Sequence, residues 1–464
     1  MLVALALAFT VLRPPPTPGP FGRDFEAYYA AGATWNAGGD PYSRMIWQVE
    51  RTIDGVDTTH EEMLPFVGPP ASLPLWSLFA RLPHPIALRV WSTLLSAAFL
   101  TLIASALRLA RAPRDPLLYL SCAGFAFASG PIISDIALGQ VALLSAAMLA
   151  LAQVAYRARS RIGAIGTTLV AAIQPNLALV LVARMRSRFD IACASSAACA
   201  FLAIGFGAAT GFGGWSAYLA RLRAHGSAER FITIQHTPSA IAYAFGLSEA
   251  AATAIGLGIA LAAIAFTVFA IVRLRLGATA ATLLSIALLP LAIPFFHEHD
   301  FVITLVPAIV LAICARGRIQ LLAGVGTALV MVDWFGFAQR ENAHAQIITL
   351  ALAMALGFAG IALANDDKRR FAFSSVLTIL IAAAIIVPIA RAHVAPTWPD
   401  TLPPGYRGAV GADASAVWGD EQHAAGLDRR EPTWAALRLF PLIGCLVLAG
   451  SILGAGKRRE LPAD

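Results

Sequence analysis

Apolar runs of about twenty residues alternate with short basic turns along most of this chain, and that alternation predicts membrane helices. Runs at 86–107, 190–211, 247–272, 319–336, 345–365, 371–391 and 435–455 each read as one span. Paired runs predict two hairpins. One joins 116–129 to 141–156 through GPIISDIALGQ, and the other spans 277–315 about a PFFHEHD tip. Residues 162–183 are flanked by basic residues on both sides, so the pattern predicts two half-helices meeting near Gln174-Pro175-Asn176. Residues 1–12, MLVALALAFTVL, have no basic n-region and no clear A-x-A site. They read as a short anchor span rather than a cleaved signal. The expected fold is an all-α integral membrane bundle of about 12–14 membrane segments. Its first span is 1–12, its membrane blocks are 86–211 and 247–391, and 435–464 hold the last span and a tail.

Composition supports this reading. The chain is 58% hydrophobic and 13% charged, about half the charge of ordinary soluble domains. A net charge of +7 raises the question of nucleic acid. The basic residues, however, sit in short runs beside the apolar segments: RLARAPRD, RARSR, RMRSR, RLR, ARGR, DDKRR and GKRRE. That is the positive-inside pattern of cytoplasmic loops, so nucleic acid is excluded and the partners are membrane lipids. The chain is expected in the inner (plasma) membrane with a cytoplasmic C-terminus. The polar segments 13–85, 212–246 and 392–434 then face outward. After Arg13 the first carries four Lys/Arg against eight Asp/Glu, too large and too acidic for a mere connector. Trp35, Trp47, Trp215, Trp398, Trp418 and Trp434 fall in these outer segments, as interfacial anchors would. All five cysteines lie in apolar stretches and read as small core hydrophobes.

Candidate chemistry lies at the outer ends. In DFEAYYAAGATWNAGGDPYS a helix is expected from about Phe25 to Ala37, ended by Gly38-Gly39. Asp24, Tyr28 and Gly32 recur every four residues with Trp35 near the same face, and Gly32 leaves room beside the aromatics. Asp24 suits an N-cap and also a functional carboxylate; the two are compatible. Asp135 in the first hairpin tip is either an interfacial loop residue or a group facing a cavity. The tip His297-Glu298-His299-Asp300 could coordinate a metal, shuttle a proton, bind a phosphate or simply be solvated. In 212–246, Trp215, Leu219 and Leu222 share a helical face, an amphipathic helix on the membrane, followed by Gln235, His236, Thr237 and Ser239.

These elements, in order, resemble glycosyltransferase family 87 of the GT-C superfamily, over roughly residues 20–315. DFEAYYAAG is similar to the family's D-x-x-x-Y-Y-x-A-G, closed by GGDPYS. FVGPP is similar to aromatic-x-Y-P-P, with Gly68 where Tyr is usual. GQVALLSAAMLALA resembles G-Q-x-N-x-L-L, with Val141-Ala142 in place of the usual polar residue. AAIQPNLALVLVARMRSR resembles A-x-x-K-P-x-P-A with basic residues after it, and Gln174 stands where Lys is common. HEHDF resembles a W-[DE]-H-H tip. The resemblance implies an inverting, metal-independent hexosyltransferase, most often a mannosyltransferase, with no cofactor. Its donor would be a polyprenyl-phosphate sugar and its acceptor a lipid- or glycan-linked envelope saccharide, at an outward-facing site. It makes Asp24 the general base and His299 the tip histidine. His297, Glu298, Arg23, Gln140, Gln174, Arg230 and His236 become candidate contacts to donor phosphate or sugar. Tyr28, Tyr29 and Trp35 become candidate contacts to sugar or acceptor. Other readings are a transporter or flippase of lipid-linked saccharide, or a GT-C-like glycan ligase.

Overall fold

The computed structural model describes residues 22–54, 56, 62–331, 344–364, 368–393, 402–408 and 413–462. The expected first span at 1–12 lies outside these, as do parts of the 319–336 run and of the 392–434 segment. Among the described residues the protein is all-helical, without strands. This follows from the solvent: a backbone in hydrocarbon must satisfy its own polar groups, and a helix does so within one segment.

Among the described residues five helices are long and apolar enough to cross a membrane: His84–Leu109, Arg188–Ala208, Glu249–Arg273, Arg369–Ile389 and Pro432–Lys457. Pro116–Phe127 and Gly130–Leu138 form a further pair bent by 70°. Shorter apolar helices fill the interior, among them Ala142–Arg157, Ala278–Ala292 and Gly317–Met331. The protein is therefore a polytopic membrane protein. Starts are set by side chains that accept an orphan backbone N–H. Asp115 caps Pro116–Phe127 through Leu117 N, Ser187 caps Arg188–Ala208, and Ser248 caps Glu249–Arg273.

The two predicted hairpins are more elaborate than simple turns. GPIISDIALGQ folds as its own helix, Gly130–Leu138, between the two arms. Asp135 on it is fully buried, and its Oδ2 accepts Leu143 N at 2.8 Å, closing the start of the Ala142–Arg157 helix. The Arg161–Ala171 helix stops short of Gln174, and Pro175 restarts the chain as Pro175–Ala178 and a 3₁₀ turn, Leu179–Arg184. Proline lacks an N–H and disfavours helical geometry in the residue before it, which accounts for the break. Cys199 is exposed, unlike the buried Cys122, Cys193 and Cys445, so the core reading of the cysteines fails there.

The segments expected to face outward fold largely as short helices that pack on one another. Arg23–Asn36 lies against Leu73–Phe79. Phe212–Ala228 lies against Ala414–Ala424, joined by the Arg221–Asp413 ion pair. On Phe212–Ala228, Tyr218 and His225 turn inward while Leu219 and Leu222 remain well exposed.

Candidate functional site

Gly139 shapes the centre of the site. It ends the Gly130–Leu138 helix at φ +72°, a left-handed conformation that favours glycine. Its carbonyl accepts Trp91 Nε1 at 2.7 Å, and Gly22 N donates to the nearby Ala137 O at 2.8 Å. The start of the Arg23–Asn36 helix is thereby held against this turn. The next residue, Gln140, donates from Nε2 to Asp24 Oδ2 at 2.7 Å and accepts Tyr28 OH at Oε1, also at 2.7 Å. Its Oε1 also accepts Val141 N at 3.1 Å, which fixes which end of the amide faces the carboxylate.

Asp24 is thus aimed by a side chain from another element, and it is not a cap. The N-cap position falls on Gly22, and no side chain caps this helix. The expected N-cap role is corrected: the helix begins at Arg23, two residues too early for Asp24 to stand outside it. Burial raises the Asp24 carboxyl to about 6, against the opposing pull of Gln140, His297 and Arg23.

Beneath it, Arg23 pairs with Glu62 in a buried hub. Glu50 accepts Leu64 N at 3.3 Å and Glu421 accepts Met63 N at 2.7 Å. Burial lifts Glu26 to about 8 and raises Glu50 and Glu421 well above the carboxylate range, despite Arg23 nearby. At neutral pH Glu26 is held largely protonated, and the same burial pushes Glu50 and Glu421 toward the neutral form around the Arg23–Glu62 pair.

The second hairpin tip closes the site. Asp300 Oδ2 accepts His297 N at 2.9 Å, and its Oδ1 accepts Gln174 Nε2 at 2.5 Å. The broken 162–183 segment and the histidine tip therefore share one carboxylate. His236 is tied to the tip through its backbone, donating to Phe296 O at 2.8 Å. Arg438 from the last membrane helix reaches Gln235 O at 2.6 Å and steadies this loop.

Asp24, its Gln140 and Tyr28 partners and the histidine tip border one cavity of about 630 Å³. Arg23, Asp24, Tyr28, Gln140, Gln174, His236, His297, Glu298 and His299 line it together. Arg230, Tyr29 and Trp35 do not. Arg230 is exposed, Tyr29 OH donates to Leu82 O at 2.9 Å, and Trp35 Nε1 donates to Ala208 O at 2.9 Å. Asp300, His225, Glu229 and Trp418 add to the polar lining. The His225–Glu229 pair stands one helical turn apart in the sequence, a spacing that could have marked both. Among the described residues no group of three His, Cys, Asp or Glu side chains is arranged to hold a metal ion.

The sequence profile of glycosyltransferase family 87 matches residues 66–294, just under half of the 464. Over that stretch the chain is similar to glycosyltransferase family 87. That match indicates a glycosyltransferase, a class of enzyme that acts on a donor and an acceptor, and the apolar helices make the protein a membrane one. No curated protein matches it. The matched residues of this glycosyltransferase include Gln140, Gln174, Glu229 and His236 on the cavity wall. Asp24 lies before the match and the 297–300 tip after it.

Proposed function

We propose that this glycosyltransferase moves a hexose, mannose by the family resemblance, from a polyprenyl-phosphate sugar to a lipid- or envelope-linked glycan. The site would open on the outer face of the inner (plasma) membrane. One observation carries the reading: an amide-oriented carboxylate, Asp24, shares a single cavity with three imidazoles, His236, His297 and His299.

The chemistry needs both halves. The acceptor oxygen attacks the anomeric carbon from the face opposite the phosphate. As the new C–O bond forms, the C–O bond to phosphate breaks and its electron pair leaves as polyprenyl phosphate. Asp24 takes the acceptor hydroxyl's proton in that step. The negative charge growing on the leaving phosphate requires fixed positive or donor groups, and the histidine tip and Arg23 are the candidates. An apolar cavity margin, with Ile173, Leu179 and Leu222, suits the first isoprene units of a lipid donor.

The test is transfer of labelled mannose from polyprenyl-phosphate-mannose by the purified protein in lipid nanodiscs. Transfer with inversion is expected. Passage of lipid-linked saccharide across a bilayer without any transfer would overturn the reading in favour of a transporter. The pH dependence is a second check. Asp24 is a base only when ionised, and its carboxyl sits at about 6, so kcat/KM is expected to rise through about pH 6.

Gln140→Leu provides a linked prediction. It removes the hydrogen bond that holds the Asp24 carboxyl down, so the rising limb is expected to move up by about one pH unit, the energy of one charge-assisted hydrogen bond. A limb unmoved in Gln140→Leu would show that the amide does not act on Asp24.

A further inference from the structure

The cavity holds a second carboxylate that the transfer chemistry leaves unused. Glu229 follows the Phe212–Ala228 helix, and its side chain is only 3% exposed. Its Oε1 accepts Trp418 Nε1 at 2.6 Å and Gln422 Nε2 at 2.9 Å. Its Oε2 lies 3.3 Å from His297 Nε2 and 3.5 Å from His225 Nε2. Two neutral donors on one oxygen do not compensate a buried charge, so one imidazole must carry a proton.

The surroundings decide which. Burial pushes His225 down, Glu229 opposes this only in part, and the charge on His297 adds to the fall. Burial also acts against His297, but Glu229 outweighs it, with Asp300 and Asp24 adding to the rise. Glu229 responds in kind: burial would lift it, and His225, His297 and Trp418 bring it down to about 2.

Gln235 sets the limit of this hold. Its Oε1 accepts Phe296 N at 3.0 Å, so its Nε2 faces His297 Nε2, 2.9 Å away. An amide NH₂ donates only to a neutral imidazole. In the geometry seen here Nε2 accepts from Gln235; once the ring takes a proton the amide must give way, and the ring then donates to Glu229 Oε2, 3.3 Å from it.

We propose that Glu229 is a positioning residue, holding His297 as an imidazolium inside the cavity so that this cation meets the departing phosphate of the donor. The inference rests on the glycosyl-transfer reading above. Through Trp418 and Gln422 the same carboxylate ties the Ala414–Ala424 helix to the site. The groups facing His297 are Glu229 and His225 from one element, and Gln235 and His236 from the next loop. Asp24 faces it from the first helix, and His299 and Asp300 from its own tip.

The experiment is a pH titration of ¹⁵N-histidine-labelled protein in nanodiscs, with the His297 signal identified by its loss in His297→Gln. In the wild type the signal is expected to stay imidazolium above the pH at which free histidine titrates. In Glu229→Gln it should become neutral at lower pH, and Glu229→Asp should restore part of the difference. A His297 signal already neutral at pH 6 in the wild type would overturn the proposal without recourse to any variant. So would an identical titration in Glu229→Gln.

Kinetics give the second readout. In Glu229→Gln at pH 8, kcat and kcat/KM for the polyprenyl-phosphate donor should fall together by about tenfold while KM changes less than about threefold, as loss of one charge-assisted contact to a departing phosphate requires. A raised KM with kcat unchanged would count against a role at the departing phosphate. If the wild type transfers no sugar from any polyprenyl donor, the transfer reading falls, and the titration still decides whether Glu229 holds His297 charged.

Discussion

Asp24→Asn is expected to lower sugar transfer by about a thousandfold, the middle of the range for loss of a positioned general base. The substitution is close to isosteric. An asparagine carbonyl can still accept Gln140 Nε2, so the Asp24–Gln140–Tyr28 chain of hydrogen bonds keeps its geometry. Folding should be unharmed, because a carboxyl raised to about 6 by burial contributes no favourable charge to the folded state at neutral pH. The unfolding temperature should stay at or above that of the wild type while turnover collapses. Donor binding, read as KM, should change little, since the lost interaction belongs to the transition state. Wild-type activity in Asp24→Asn would remove Asp24 as the base. The remaining carboxylates of the cavity, Glu298, Asp300 and Glu229, would then be the candidates.

The architecture was largely readable because lipid imposes it. A chain with apolar runs of span length has almost no alternative to helices, and the Gln174-Pro175 break follows from proline chemistry alone. The site was readable only where spacing carries the chemistry. Asp24 and the 297–300 tip are local patterns, and both border the cavity. Glu229 is different. As a lone acid between two basic residues in a polar segment it looks solvated, and its burial comes from Trp418 and Gln422, nearly two hundred positions away in sequence. Gln140 was visible as a candidate, but its contact with Asp24 spans 116 positions and no local period encodes it. Helical periodicity names a face without naming the neighbour. Tyr28 meets Gln140, whereas Tyr29, turned about 100° round the helix, meets Leu82.

Gly32 shows the same limit, and it carries the second large effect. Its missing side chain reads in the sequence as room beside the aromatics, yet that room is filled by the Leu73–Phe79 helix. A Cβ on Gly32 would stand 2.3 Å from Trp76 O, 2.4 Å from Trp76 C and 2.8 Å from Ser77 N. These are backbone atoms, so no rotamer change relieves the clash. The two helices are also tied together at this point. Asn36 Nδ2 donates to Ser77 O at 3.0 Å, Ser77 Oγ donates to Asn36 Oδ1 at 2.7 Å, and Tyr28 stacks on Trp76 with ring centroids 4.6 Å apart. Gly32→Ala must push the helices apart by about 1 Å, the difference between these contacts and ordinary van der Waals separation. The expected cost is about 3 kcal/mol of stability, the upper range for overpacking, seen as a lower unfolding temperature. Activity should fall about a hundredfold in the folded fraction, because the shift travels through Tyr28 and Gln140 to Asp24 and misplaces the base by a comparable distance. Gly258→Ala is the control. It lies on the Glu249–Arg273 helix with nothing within 4 Å of its Cβ position, and should be neutral or slightly stabilising. Equal unfolding temperatures and activities for Gly32→Ala and Gly258→Ala would mean that the first helix does not depend on this close approach to aim Asp24.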